Sequence, residues 1–191
     1  MKKINVSSFI IKDKFKYHEE IKKDLLSEIN NCKESYNVNE KIDTISSTDW
    51  LSSSNRERLW VKKYFKPIGE QLATFAENLG YEGVKMHDIW FQQYIKNDTH
   101  TWHVHDKAYT GTYYLELPKD GPKTQFLFPH NLKKAFTVDV EEGDIIFFPC
   151  SLIHRSPPSE SKKRKTIISW NSDLHGVNKD LYYDRPSEVI Y

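Results

Sequence analysis

The chain predicts an α+β protein, mainly β, in which helices come first and then support a two-sheet sandwich or jelly roll. Three observations carry this. Apolar residues recur at helical spacing through residues 1–80, the period then drops to two, and seven short strand-like runs follow with turn signals between them. At 191 residues the length suits one domain with a sizeable core. The expected organisation is a mostly helical support region (1–80), a β core (84–173) and a C-terminal tail (174–191).

The elements follow in order. After Phe15, Ile21, Leu25 and Ile29 recur every four residues between charges, which is one amphipathic helix. Residues 34–55 are polar, rich in Ser, Asn and Asp, and read as an extended loop. Trp60, Tyr64, Ile68, Leu72, Phe75 and Leu79 then form the stripe of a longer helix. Pro67 should kink it or open its second half, and Gly80 is a suitable stop. From Val84 the pattern alternates: Lys85–Ile95 is the first strand expected in the core. Further strands are expected at Thr101–His105, Tyr109–Leu117, Thr124–Phe128, Ala135–Val140, Asp144–Phe148 and Arg164–Asp173, with turns at Pro118–Pro122 and Glu141–Asp144. Leu181, Tyr182, Tyr183 and Tyr191 give the tail enough apolar surface to pack back.

Composition narrows the class. Net charge is +1, too small for a global field that attracts nucleic acid. No apolar run approaches the roughly 20 residues that span a bilayer, and Met1–Val6 lacks the apolar core of a secretion signal. A cytoplasmic protein is the expectation. Cys32 and Cys150 are far apart and form no CxxC pair, so free thiols are expected.

The chemistry concentrates in three places. Trp102-His103-Val104-His105-Asp106 carries two histidines one residue apart, and alternation on an extended segment puts both on one face. His154 follows the apolar run Asp144–Phe148 and a Pro-bounded turn, where it can close a facial set of metal ligands. The basic run Lys162-Lys163-Arg164-Lys165 leads into Thr166-Ile167-Ile168-Ser169-Trp170-Asn171. A closed structural zinc site normally takes four protein ligands, whereas three leave positions open for chemistry. Trp102, Trp170 and Asn171 are expected beside the ligands. His18, His87, His100, His130 and His175 match no ligand position and read as structural or exposed.

Over residues 84–173 the chain resembles the Fe(II)/2-oxoglutarate-dependent oxygenases, especially small phage and bacterial members related to prolyl hydroxylases. The resemblance rests on Trp90–Tyr94, Trp102–His105, Gly111–Leu115, Gly143–Pro149, His154 and Ile168–Asn171, in that order and spacing. It implies a double-stranded β-helix, in agreement with the strand count. It also implies iron held by His103, His105 and His154, 2-oxoglutarate and O2 as co-substrates, and ascorbate as a candidate accessory reductant. This chain departs from the usual His-x-Asp or His-x-Glu pattern. Either His105 replaces the carboxylate or Asp106 serves, and alternation favours His105.

Matching the closing Ser-aromatic-Asn to the family places Lys165 at the cation that holds the far carboxylate of 2-oxoglutarate. Arg164 is the rival, since a one-residue slip reverses every side chain of a strand. Tyr114 and Tyr94 correspond to pocket-lining tyrosines, and Asn171 faces inward with Lys165, Ile167 and Ser169. The implied reaction decarboxylates 2-oxoglutarate to succinate and CO2 and hydroxylates an unactivated C–H bond. The substrate would be a prolyl or other peptidyl residue, or a small molecule. Two alternatives stay open: a three-histidine cupin-type dioxygenase that does not use 2-oxoglutarate, and a non-catalytic metal-binding β-sandwich module.

Overall fold

Alternation sorts the core strands into two faces. On the run from Lys165 onward, Ile168 and Trp170 join one apolar cluster while Ile167 joins another. In the computed structural model, which describes residues 8–179, these faces belong to a large sheet with helices on one side and a smaller sheet on the other. The elements are β1 (Ile11–Lys14), α1 (His18–Asn30), β2 (Tyr36–Asn39), β3 (Thr44–Thr48), a 3₁₀ turn (Trp50–Ser52), α2 (Leu59–Asn78), β4 (Tyr81–Tyr94), β5 (His100–His103), β6 (Tyr109–Glu116), β7 (Gln125–Phe128), β8 (Asn131–Thr137), β9 (Asp144–Pro149), β10 (His154–Ser156) and β11 (Lys165–Val177). The large sheet runs β1-β9-β6-β11-β4-β3-β2 and the small one β5-β10-β7-β8, all pairings antiparallel. This is the double-stranded β-helix expected from the sequence.

The helices cover one face of the large sheet. Ile21, Leu25 and Ile29 from α1 and Trp60, Ile68 and Leu72 from α2 pack on Phe91, Tyr113, Phe147, Ile168 and Trp170. Each such side chain contributes roughly 1.5–3 kcal/mol on burial. Their sum exceeds the ~3 kcal/mol penalty of a helix-interior proline, and α2 accordingly continues through Pro67. Gly80 ends that helix at φ 81°, the left-handed conformation a glycine adopts without strain. The opposite face of the sheet, with Tyr94, Tyr114, Phe148 and Ile167, meets Phe126 of the small sheet. The site lies between the two sheets on this side.

Several expectations needed correction. Residues 34–55 are not a loop: β2 and β3 form a hairpin that extends the large sheet through β3–β4 pairing. Its polar composition follows from its edge position, where only alternate residues are covered. β1 joins the other edge by pairing with β9, so the first 80 residues contribute strands as well as helices. β5 stops at His103, β8 begins at Asn131 rather than Ala135, and β11 runs on to Val177. β10, only three residues long, is too short to leave a periodic signal. The expected packing of Leu181, Tyr182, Tyr183 and Tyr191 lies outside the described residues.

The hairpin is tied down by charge. Buried Asp49 accepts from the Phe91 amide (2.9 Å) and Trp60 Nε1 (2.8 Å) and pairs with buried Arg58. One carboxylate thus links the end of β3 to both α2 and β4. Burial raises its pKa, and Arg58 opposes that rise.

Candidate metal centre and its cavity

His103 ends β5 and His154 begins β10, and the two are directly paired across the small sheet. His105 lies two residues beyond the end of β5, where its amide donates to the Cys150 carbonyl (3.3 Å). It therefore reaches the same place as His103 through this anchored turn rather than through strict strand alternation. The nitrogens of the three imidazoles lie within 4.8 Å of one another, and His105 Nε2 is 3.2 Å from His154 Nε2.

The tautomers of two ligands are set locally. His103 Nδ1 donates to the Thr101 carbonyl (2.7 Å) and His154 Nδ1 to the Leu152 carbonyl (2.8 Å), which leaves both Nε2 lone pairs free to ligate. Burial pushes the pKa of all three rings down, to about 4 for His105 and well below the usual value for His154. Neutral imidazoles with converging lone pairs suit a divalent first-row metal, and three of them leave coordination positions open. The donor set therefore fits iron. Asp106 lies outside it: its carboxylate is exposed and meets only Lys107 (3.3 Å).

Behind the histidines, Lys165 opens β11 opposite Tyr94 of β4. It is 0% exposed, its Nζ is 3.0 Å from Ser156 Oγ and 4.9 Å from the centre of the Tyr94 ring, and among the described residues no carboxylate pairs with it. Burial alone lowers its pKa to about 7. Tyr114 reaches Thr124 Oγ1 (2.7 Å), and both tyrosine hydroxyls are pushed up by burial. Arg164 points the other way, bonded to Glu116 (2.9 Å) and to Asn30 of α1 (2.9 Å). Arg164, just before β11, and Lys165, at its start, point to opposite sides, and Lys165 is the one between the sheets.

A groove of about 650 Å³ opens over His103 and His105, bounded by the β2–β3 hairpin, Trp90 and Asn171. Asn171 thus lies at the groove rather than at the Lys165 end. Trp170 does not line it: the ring is fully buried on the helix side, against Gly111. Trp102 turns away as well and stacks under Arg155 (4.4 Å). The aromatic wall is instead Trp90, 5.8 Å from His105 ring to ring. His100, read from sequence as structural, stacks on His103 at 4.0 Å and lines the groove. Sequence reasoning missed Trp90, His100, Ser156 and the hairpin. Only Trp90 left a signal, since alternation places it on the same face as Tyr94.

Two packed sheets and a three-histidine donor set with open positions are the frame of a metal-dependent oxygenase. Residues 88–171, a little under half of the chain, match the family model described as "Putative 2OG-Fe(II) oxygenase", and the match indicates an enzyme of that type. No curated protein matches it in sequence. Among solved structures it is similar to a Pseudomonas putida prolyl-4-hydroxylase, at 12% identity and TM-score 0.64, covering 89% of this chain and 94% of that one. It is also similar to an epimerase from nogalamycin biosynthesis solved with Fe3+ and alpha ketoglutarate, at 11% identity and TM-score 0.70, covering 96% and 88%. A third is a Trichoplax adhaerens prolyl hydroxylase solved with a hypoxia inducible factor peptide, at 16% identity and TM-score 0.60, covering 86% and 82%. At these identities the likeness speaks to the fold. Among the described residues no helix is long and apolar enough to cross a membrane.

Proposed function

We propose that the chain hydroxylates an unactivated C–H bond, with His103, His105 and His154 holding iron and Lys165 anchoring the far carboxylate of 2-oxoglutarate. The observation that carries this reading is Lys165. A fully buried ammonium without an anion is costly, and it becomes favourable once a carboxylate ligand arrives. Iron held by these histidines, with 2-oxoglutarate, would supply an oxidant derived from O2, the keto acid being spent as succinate and CO2.

The protein's own groups bind and shield. Ser156 orients the Lys165 ammonium, and Tyr94 and Tyr114 wall the space around it. Trp90 stands beside His105 and limits water at the reacting side. Asn171 lies at the substrate groove, a role separate from holding 2-oxoglutarate. Arg164 takes no part in it, since its guanidinium is held by Glu116. A three-histidine dioxygenase that dispenses with 2-oxoglutarate would leave Lys165 unexplained. A peptidyl substrate fits an open groove of this kind.

The test is anaerobic titration of the metal-free protein with Fe(II) and then 2-oxoglutarate, watching for the weak visible charge-transfer band of a chelated keto acid. The band should appear, vanish in His103→Ala and weaken strongly in Lys165→Ala. Iron binding without the band would overturn the 2-oxoglutarate assignment. Absence of stoichiometric metal binding would overturn the site itself.

A further inference from the structure

The groove beside the histidines has an uneven charge. Glu40, Asp43 and Asp106 all border it, and among the described residues no lysine or arginine does. Asp43 accepts from the Thr101 amide (2.7 Å) and has no cationic partner, and Glu40 forms no ion pair among the described residues. Asp106 meets only its neighbour Lys107, with its carboxylate 82% exposed. Iron(II), the 2-oxoglutarate dianion and the Lys165 ammonium would together carry one positive charge, fewer than the three carboxylates that border the groove.

A second observation is independent of the carboxylates. Asn171, 6% exposed, lines the same groove, and its Oδ1 is buried without a hydrogen-bond partner. The orientation of the amide is set by Asp88, whose carboxylate takes the Nδ2 side (3.4 Å). An unanswered buried acceptor at this position calls for an N–H or O–H donor from a ligand. The walls add a third feature: Tyr36, Trp50 and Trp90 present ring surface, on which cations bind favourably.

Resting on the oxygenase reading above, we propose that the groove selects a substrate carrying a cationic nitrogen group, an ammonium or guanidinium, seated between the aromatic wall and the Glu40–Asp43 turn. The source is either a free basic amino acid or amine, or a lysyl or arginyl residue of a peptide. Substrates of net negative charge are repelled by the same carboxylates.

Binding is measured by calorimetry and tryptophan fluorescence on the protein loaded anaerobically with Fe(II) and 2-oxoglutarate. The probes are L-lysine, L-arginine, their N-acetyl amides and an N-acetylated, amidated Gly-Lys-Gly peptide, with the N-acetyl amides of norleucine and glutamate as cation-free neutral and anionic controls. Cationic probes should bind about tenfold or more tighter than their neutral counterparts, weakening as salt rises. Asp43→Asn keeps the acceptor for Thr101 and removes the charge, and Glu40→Gln changes an exposed side chain. Each should weaken cationic probes by about fivefold and leave norleucine unaffected. Retained affinity for the blocked amides and the peptide assigns a peptidyl source, and its loss a free one. Equal or tighter binding of norleucine or glutamate, or unchanged affinities in both variants, would overturn the proposal. Repeating the titration on metal-free protein separates the two readings, since cation selectivity there survives a failure of the 2-oxoglutarate assignment.

Discussion

Lys165 Nζ, on the central strand of the large sheet, lies 3.0 Å from Ser156 Oγ on an interior strand of the small one, and among the described residues no anion is in reach of the ammonium. The site is thus built with one buried cation in excess, and its behaviour with pH follows. Burial lowers its pKa to about 7, so in the ligand-free protein the charged fraction falls as pH rises through that value. Affinity for 2-oxoglutarate should drop up to about tenfold per pH unit above it, by calorimetry from pH 6 to 9.

Replacing Lys165 by Met should abolish 2-oxoglutarate binding, by about a hundredfold or more, yet stabilise the ligand-free protein. The folded pKa of about 7 lies below the ordinary 10.5, so the unfolded chain binds more protons between them and stability rises with pH across that window. Below about 7 the full penalty stands, on the order of 4–5 kcal/mol. Thermal unfolding at pH 6 should show the Met variant melting higher than wild type.

His105→Asp should retain stoichiometric divalent metal, because it restores a two-histidine, one-carboxylate set at the same anchored turn. His154→Ala should lose it, with affinity falling about a hundredfold or more, since that imidazole is buried and oriented by Leu152. Metal titration followed by elemental analysis distinguishes them.

Arg164→Ala should leave 2-oxoglutarate affinity unchanged. Its pair with Glu116 is a third exposed on the arginine side, and such a pair contributes at most ~1 kcal/mol. A denaturant midpoint and one calorimetric titration check both halves.

Asp49→Ala should destabilise the fold by roughly 3–5 kcal/mol, because it strands the buried Arg58 guanidinium and removes the acceptor of Trp60 and Phe91. Asp49→Asn should cost less. Equilibrium unfolding in urea measures the difference.

Gly111→Ala should cost about 1–3 kcal/mol or more by overpacking. A Cβ there would sit 2.2 Å from the Trp170 ring and 2.5 Å from the Ile146 carbonyl, and the backbone atom cannot yield cheaply. Loss of soluble protein or a lowered melting temperature reports it.

The sequence by itself determined the periodic parts of this protein. The stripes of α1 and α2 and the alternation of β4, β6, β9 and β11 follow from burial on one face, which writes itself into spacing. The histidine spacing around residues 103–105 and 154 brought the donor set into view, while alternation set Lys165 and Arg164 on opposite faces without saying which face turns inward. Tertiary structure alone decided the rest. The β2–β3 hairpin is held by edge pairing and by Asp49, contacts made with residues some forty positions away, and its own residues carry no apolar period. Likewise His100 and Trp90 face the groove, and Trp170 the helices, because sheet pairing and register assign those sides. A strand's face is periodic and local, but which face meets the metal is a long-range choice that no short window of sequence encodes.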